Sequence, residues 1–234
     1  MKDIQSQRDS RKIDIRKAGV KTISYPIVVL DKAQSRQHTV AHVNMYVNLP
    51  HQFKGTHMSR FVEILSETHG RIDIRNFQDI LAQMKSRLNA KASHLEMHFP
   101  YFLDTGKQNG SSLPAKYQCG LHGCLDGESE IKLSLSVPVF HKKSETNLKE
   151  RWGKVDFLIG FHRFYWLEDI IELVENTIDT EFQNNRNGIT LTEGNLANIL
   201  GRKLEDVDEI SDYTITVYKE NENFMSFSKI SNSC

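Results

Sequence analysis

The chain has 234 residues, 38% of them hydrophobic, with 30 Lys+Arg against 30 Asp+Glu, which suits one large domain or two closely associated modules with a substantial core. The balanced charge excludes a global field that draws the chain to nucleic acid or to an anionic membrane, so any anion must be held by a local site. No apolar run approaches the ~18 residues needed to span a bilayer, and the start MKDIQSQRDSRKIDIRKAG carries charges where a signal peptide has its apolar core, so a cytoplasmic protein is expected.

Residues 1–18 are densely charged with weak apolar periodicity and read as an arm that orders only when docked. VKTISYPIVVLD (20–31) is rich in β-branched residues. QHTVAHVNMYVNLP (37–50) alternates, with Val40, His42, Asn44 and Tyr46 opposite Thr39, Ala41, Val43, Met45 and Val47. The two predict a hairpin turning around Lys32 to Arg36. SRFVEILSETHG (59–70) sets Phe61, Ile64 and Leu65 on one helical face with Gly70 as the stop. NFQDILAQMKSRLN (76–89) repeats that spacing through Phe77, Ile80, Leu81, Met84 and Leu88, with Asn76 as N-cap. SHLEMHFPYFLD (93–104) and KYQCGLHGCLDG (116–127) are two more strands, so the first half reads β-β-α-α-β-β.

The second half repeats the order. EIKLSLSVPVF (130–140) and KVDFLIGFHRFYW (154–166) read as strands, LEDIIELVENTI (167–178) as an amphipathic helix, TEGNLANILGRKL (192–204) as a weaker helix capped by Thr192, and DYTITVYK (212–219) and ENFMSFSKI (222–230) as closing strands. The repeat is one of element order, with little residue identity between the halves. It divides the chain into the arm, a module at 19–128 and a module at 129–234. The fold expected is α+β, one continuous antiparallel sheet with helices on one face. Open edges and an uncovered face favour oligomerisation, with ligand sites where modules or subunits meet.

Four segments have residue types that could support chemistry. In LPHQFKGTHMSRFVEIL (49–65), a Gly-containing turn enters a helix whose start includes Thr56, His57, Ser59 and Arg60, with Lys54 just before. Free N–H groups and two cations suit a phosphate or carboxylate, while simple capping by Thr56 or Ser59 accounts for the same residues. CGLHGC (119–124) offers three soft ligands, but on a strand Cys119 points away from His122 and Cys124, which favours a structural role. With Cys234, the three cysteines are too few for a disulfide framework and read as reduced thiols. Glu222, in ENENFMSF (220–227), is either an exposed strand-end residue or a carboxylate for the N–H and amino donors of a purine or pterin edge. VFHKKSETNLKERWGK (139–154) is mixed in charge and lacks cysteine, and it reads as a solvated loop or short exposed helix.

DIQSQRDSRKIDIRKAGVKTISYPIVVLD, QHTVAHVNMYVNLPHQFKGTHMSRFVEIL, SHLEMHFPYFL and RFYWLEDIIELVE closely resemble the prokaryotic GTP cyclohydrolase IB family, KGTHMSRF being very specific to it. The resemblance implies the tunnelling fold, tetramers with sites at interfaces, and hydrolytic opening of the GTP imidazole ring to give 7,8-dihydroneopterin triphosphate. The reaction depends on a bound metal, zinc or manganese in active members. Through KGTHMSRF, the resemblance makes Lys54, His57, Ser59 and Arg60 triphosphate or ribose contacts. Glu222 matches the purine-anchoring glutamate of a Glu-Ser-Ile-His-Asn-His pattern, while Met225 and Phe227 take the two histidine positions.

After VPV (137–139) the family carries Cys-Pro-Cys-Ser-Lys and then Gly-Ala-His-Asn-Gln-Arg, which supply a cysteine and a histidine to the metal site. Here FHKKSETNLKERWGK follows instead, with Lys149 or Glu150 near the histidine position, and His141 with Glu193 would make only a poor substitute site. Glu193 matches one of the family's later glutamates. A divergent member is therefore expected, with no metal and with lost or altered catalysis. It would bind GTP or another purine or pterin, as a homo-oligomer or together with an active paralogue. The alternative is an active enzyme with a rebuilt metal site.

Overall fold

The structure, a computed structural model, describes residues 15–51, 56–70, 74–104, 114–142, 149–184 and 191–232. Its elements are β1 (Ile15–Asp31), β2 (Ser35–Leu49), α1 (Met58–Ser66), α2 (Ile74–Arg87), β3 (Ala92–Leu103), β4 (Ala115–Asp126), β5 (Glu128–Lys142), β6 (Lys149–Phe161), α3 (Leu167–Asn184), α4 (Glu193–Glu205), β7 (Ile210–Glu220) and β8 (Met225–Ser231). The order β-β-α-α-β-β thus occurs twice, in an α+β chain whose strands follow one another as β1-β2-β3-β4-β5-β6-β7-β8 in one antiparallel sheet. The chain forms two compact units, 1–101 with 120–131, and 102–119 with 132–234.

In the first unit, period-two alternation buries Ala41, Val43, Met45, Val47 and Leu49 of β2 and Leu95, Met97, Phe99 and Tyr101 of β3. Phe61, Ile64 and Leu65 of α1 and Phe77, Ile80, Leu81 and Met84 of α2 are buried too. α2 lies directly on β4: a Cβ at Gly123 would overlap the Phe77 ring and sit 2.8 Å from Leu81 Cδ1. Buried Asp31 closes the β1–β2 turn by accepting the N–H groups of Ala33 (2.9 Å) and Gln34 (2.7 Å). The strands depart from the reading at one end, since β1 begins at Ile15, inside the expected arm. α1 ends at Ser66 with Glu67 as C-cap, four residues before Gly70. Gly70 sits at φ +75° and its carbonyl accepts from Val28 N–H (2.9 Å), so it serves the contact with β1 rather than the helix stop. α2 starts at Ile74, which places Asn76 inside the helix and not at its cap.

In the second unit, Val137, Val139, Val155, Phe157, Ile215 and Val217 are buried, as are Ile170, Ile171 and Val174 of α3 and Leu196, Leu200 and Leu204 of α4. Trp152 meets Phe182 of α3 edge-on at 5.9 Å, and Tyr117 hydrogen-bonds Glu175. Thr192 caps α4 by accepting Asn195 N–H at 3.2 Å. The polar stretch after β5 is largely hairpin: Phe140 pairs with Arg151, His141 with Glu150 and Lys142 with Lys149, with a bulge between Val139 and Phe140. Only 143–148 lie outside the described residues there. A run mixed in charge lacks the apolar alternation by which a strand is recognised, so the loop-or-helix reading is corrected for the paired residues up to Lys142 and from Lys149.

Gly153 of β6 has no room for a side chain. A Cβ there would overlap the Tyr218 carbonyl oxygen and lie 3.0 Å from Lys219 Cα on β7. Gly153→Ala is expected to cost about 1–3 kcal/mol, measured by urea unfolding; an unchanged midpoint would contradict this packing.

Candidate functional site

Strand alternation leaves the side opposite the helices to polar side chains. In the first unit, His42, Asn44 and Tyr46 of β2 pair with His98, Glu96 and His94 of β3. Glu96 accepts hydrogen bonds from Tyr46 and from Asn44 Nδ2 (3.0 Å). Asn44 Oδ1 accepts the Thr22 N–H (2.9 Å), at a β1 bulge where Thr22 takes φ 60°. A β-branched residue at positive φ is a strained conformation, held here by the Asn44 bond. Lys17 Nζ lies 3.4 Å from the Tyr46 ring centroid, and that ring stacks on His94 at 5.0 Å. His98 and His122 meet edge-on at 5.0 Å.

Burial first, and the Glu96 hydrogen bond second, raise the Tyr46 phenol well above its usual range. The Tyr46 and Asn44 hydrogen bonds, with Lys17, outweigh burial and hold Glu96 below the ordinary carboxylate range. The network is therefore Glu96 as the anion, with its donors in place.

The thiols of β4 are held protonated. Cys119 is buried and its thiol is pushed up by burial and then by Glu168. Cys124, on the opposite parity with His122, is pushed up by burial and by Asp126 and Glu130. Raised in this way, both are weak nucleophiles at neutral pH.

In the second unit the helix-free side has two cross-strand rows. Pro138, Lys154, Tyr218 and Phe227 form one, and Ser136, Asp156, Thr216 and Lys229 the other. Asp156 accepts from Ser136 Oγ and from Lys154 Nζ, both at 2.6 Å. Lys154 Nζ is also 4.7 Å from the Tyr218 ring centroid.

The site residues expected from sequence fall in two places. His57 is the N-cap of α1, at φ −78° and ψ 112°, and makes no side-chain cap hydrogen bond; Ser59 and Arg60 are exposed on the first turn. Capping by Thr56 or Ser59 is thus not how this helix begins. Arg60 Nη1 donates to the Arg87 carbonyl (3.0 Å), and Arg87 makes a two-pronged ion pair with Glu67 at 2.6 and 2.7 Å, so Arg60 is held by one of its five donors. Lys54 lies outside the described residues. Glu222 belongs to the second unit, exposed in the β7–β8 turn that Asn221 N–H closes onto Phe224 O at 2.9 Å. Glu193 accepts from Ser226, on the helix-covered side of β8, and this bond holds its carboxyl below the usual range.

A family model described as Type I GTP cyclohydrolase folE2 matches residues 1–142. The chain belongs to this family. It is 44% identical over 182 residues to the GTP cyclohydrolase FolE2 of Syntrophotalea carbinolica, covering 75% of this chain and 68% of that one. The FolE2 of Syntrophobacter fumaroxidans is 43% identical over 190 residues, covering 77% and 74%. Among solved structures, a hyper-thermostable AgUricase mutant superposes with TM-score 0.64 at 7% identity, covering 93% of this chain and 91% of that chain. Uricase from Arthrobacter globiformis gives 0.59 at 8%, covering 92% of each. At such identities the likeness shows the tunnelling fold alone.

FolE2 cyclohydrolases are metal-dependent, and the family match ends at Lys142, where the resemblance places the cysteine and histidine of the metal site. Residues 140–151 contain no cysteine and one histidine, His141. Among the described residues no group of three or more His, Cys, Asp or Glu is arranged to hold a metal ion.

Burial is the main cause that lowers the pKa of His94, with Lys17 adding to it; burial and then His98 lower that of His122. Both rings therefore bind protons less readily in the folded chain than in the unfolded one. Their contribution to stability is intact above the ordinary value of 6.5 and lost as pH falls below it. Replacing both by Gln is expected to flatten the loss of thermal stability between about pH 7 and pH 5. The same acid slope in the double variant would contradict this.

Proposed function

We propose that this FolE2-family chain binds GTP or a related purine or pterin and does not open the purine ring by the family's metal-dependent route. The observation that carries the reading is the replacement, just where the family match stops, of both metal-ligand motifs by FHKKSETNLKERWGK. Hydrolytic ring opening requires an activated water, which a metal supplies by lowering the water's pKa. Removing a cysteine and a histidine ligand together abolishes affinity that even one outer-shell change weakens. Glu193 is a poor replacement, being engaged with Ser226.

In this reading Glu222 anchors the N–H and amino edge of the ring, and Lys54, His57, Ser59 and Arg60 receive the phosphates at the start of α1. The two groups meet through assembly of several copies, each built of modules 19–128 and 129–234, as a homotetramer or with an active relative, in the cytoplasm. No helix among the described residues is long and apolar enough to cross a membrane. A second reading, a working cyclohydrolase with a rebuilt site, is favoured by the 44% identity to a protein named GTP cyclohydrolase FolE2.

Calorimetric titration of GTP and of 7,8-dihydroneopterin triphosphate tests the binding. Glu222→Ala is expected to weaken either ligand about tenfold or more, the scale of losing a hydrogen-bonded charge, with sedimentation unchanged. Unaltered affinity would remove Glu222 from the site.

A further inference from the structure

The edge strand β1 is held unevenly along its length. Its inner part buries Ile27, Val29 and Asp31, whereas over residues 15–22 no side chain is buried: Arg16, Lys17, Lys21 and Thr22 are exposed and the others half-buried. Register shifts between Ile15 and Ala18 and between Val20 and Ile23 interrupt the pairing with β2 on both sides of residues 18–20. Two bulges, the positive φ of Thr22 and the lack of buried contacts make this the part of β1 that opens at least cost.

The outer stretch is fastened to a polar cluster. Thr22 N–H donates to Asn44 Oδ1, and Lys17 Nζ lies 3.4 Å from the Tyr46 ring centroid. Asn44 and Tyr46 in turn donate to Glu96, the anion towards which Lys17 is drawn. The Tyr46 ring also stacks on His94, whose Nε2 meets Asn48 Oδ1 at 3.1 Å. One ring therefore separates the Lys17 ammonium from an imidazole that can acquire a charge. The charged groups facing His94 are Lys17 from β1, Glu96 on β3 and Asp126 from β4, while Tyr46 of β2 stays a neutral donor. The two carboxylates favour a proton on the ring; burial and Lys17 oppose it and prevail. Lys17 is the member of this cluster carried by a stretch that can leave.

We infer that His94 and Lys17 form an acid-sensitive latch, in which protonation of His94 releases residues 15–22 from β2 while the inner part of β1 stays paired. The charged arm, expected from sequence to order only when docked, has its docked end in this stretch. Because the folded ring binds a proton less readily than its ordinary value of 6.5 implies, the latch is closed above that pH and loosens as pH falls below it. Release leaves residues 45–49 of β2 as an unpaired strand edge, open to pairing with another strand.

Hydrogen exchange of the full-length chain, corrected for the intrinsic pH dependence of amide exchange, reads the latch between about pH 7.5 and pH 5.5. Amides of residues 15–22 are expected to lose protection as pH falls, by at most about tenfold per pH unit for one proton taken up, while residues 29–31 keep theirs. His94→Gln is expected to abolish the acid loss, and His122→Gln, which leaves His94 in place, to retain it; melting curves check that both variants fold. A purely structural His94 would alter protection equally at every pH, and that result overturns the latch. So does protection of residues 15–22 that does not change with pH, an acid loss that survives in His94→Gln, or a loss shared equally by residues 29–31, which is unfolding of the whole unit.

Discussion

Strand alternation against helices packed on a single side is the constraint on which the other features rest. Each strand contributes one row of side chains to a buried apolar layer and the next row to the opposite side, where no helix among the described residues has to match it in volume. A one-residue slip of β7 would exchange Tyr218 with Val217 and destroy both the core and the helix-free rows. Two glycines keep the layers this close: Gly123 lets α2 rest on β4, and Gly153 lets β6 approach β7. Because the buried rows already hold the fold together, the rows on the other side can change in character. They are polar and histidine-rich in the first unit and aromatic at one end of the second.

Much of this was legible in the residues. Long alternating runs such as QHTVAHVNMYVNLP and periodic ones such as NFQDILAQMKSRLN marked β2 and α2, because a one-sided core imposes a clean period. Thr192 was readable as a cap from its chemistry alone. The misses share a cause. Asn76, Gly70 and the flanks of the β5–β6 hairpin sit near element ends, where local preference is weakest, and Gly70 is taken up by its bond to Val28. The Tyr46–Glu96–Asn44 network joins residues about fifty positions apart, which no local spacing reveals. The alternation of His94, Glu96 and His98 against His42, Asn44 and Tyr46 did hint at one shared polar side.

Of the candidate site, the start of α1 and Glu222 are proposed from the family pattern, and Lys54 falls outside the described residues. The Tyr218–Phe227 pair was not foreseen, since an aromatic on a strand reads as core until pairing places it on the uncovered side. The family model ends at Lys142, while the relatives named GTP cyclohydrolase FolE2 align over 182 and 190 residues, 75% and 77% of the chain. The proposed loss of catalysis rests on the polar stretch that follows Val139, because a metal site does not tolerate the loss of its ligands.

The most direct measurement is GTP turnover, read as pterin fluorescence after oxidation, on protein purified without chelator and assayed with added Mn²⁺ or Zn²⁺. No turnover is expected while GTP still binds. Turnover that a chelator abolishes would contradict the loss of catalysis and show that a metal site has been rebuilt from other residues of this chain.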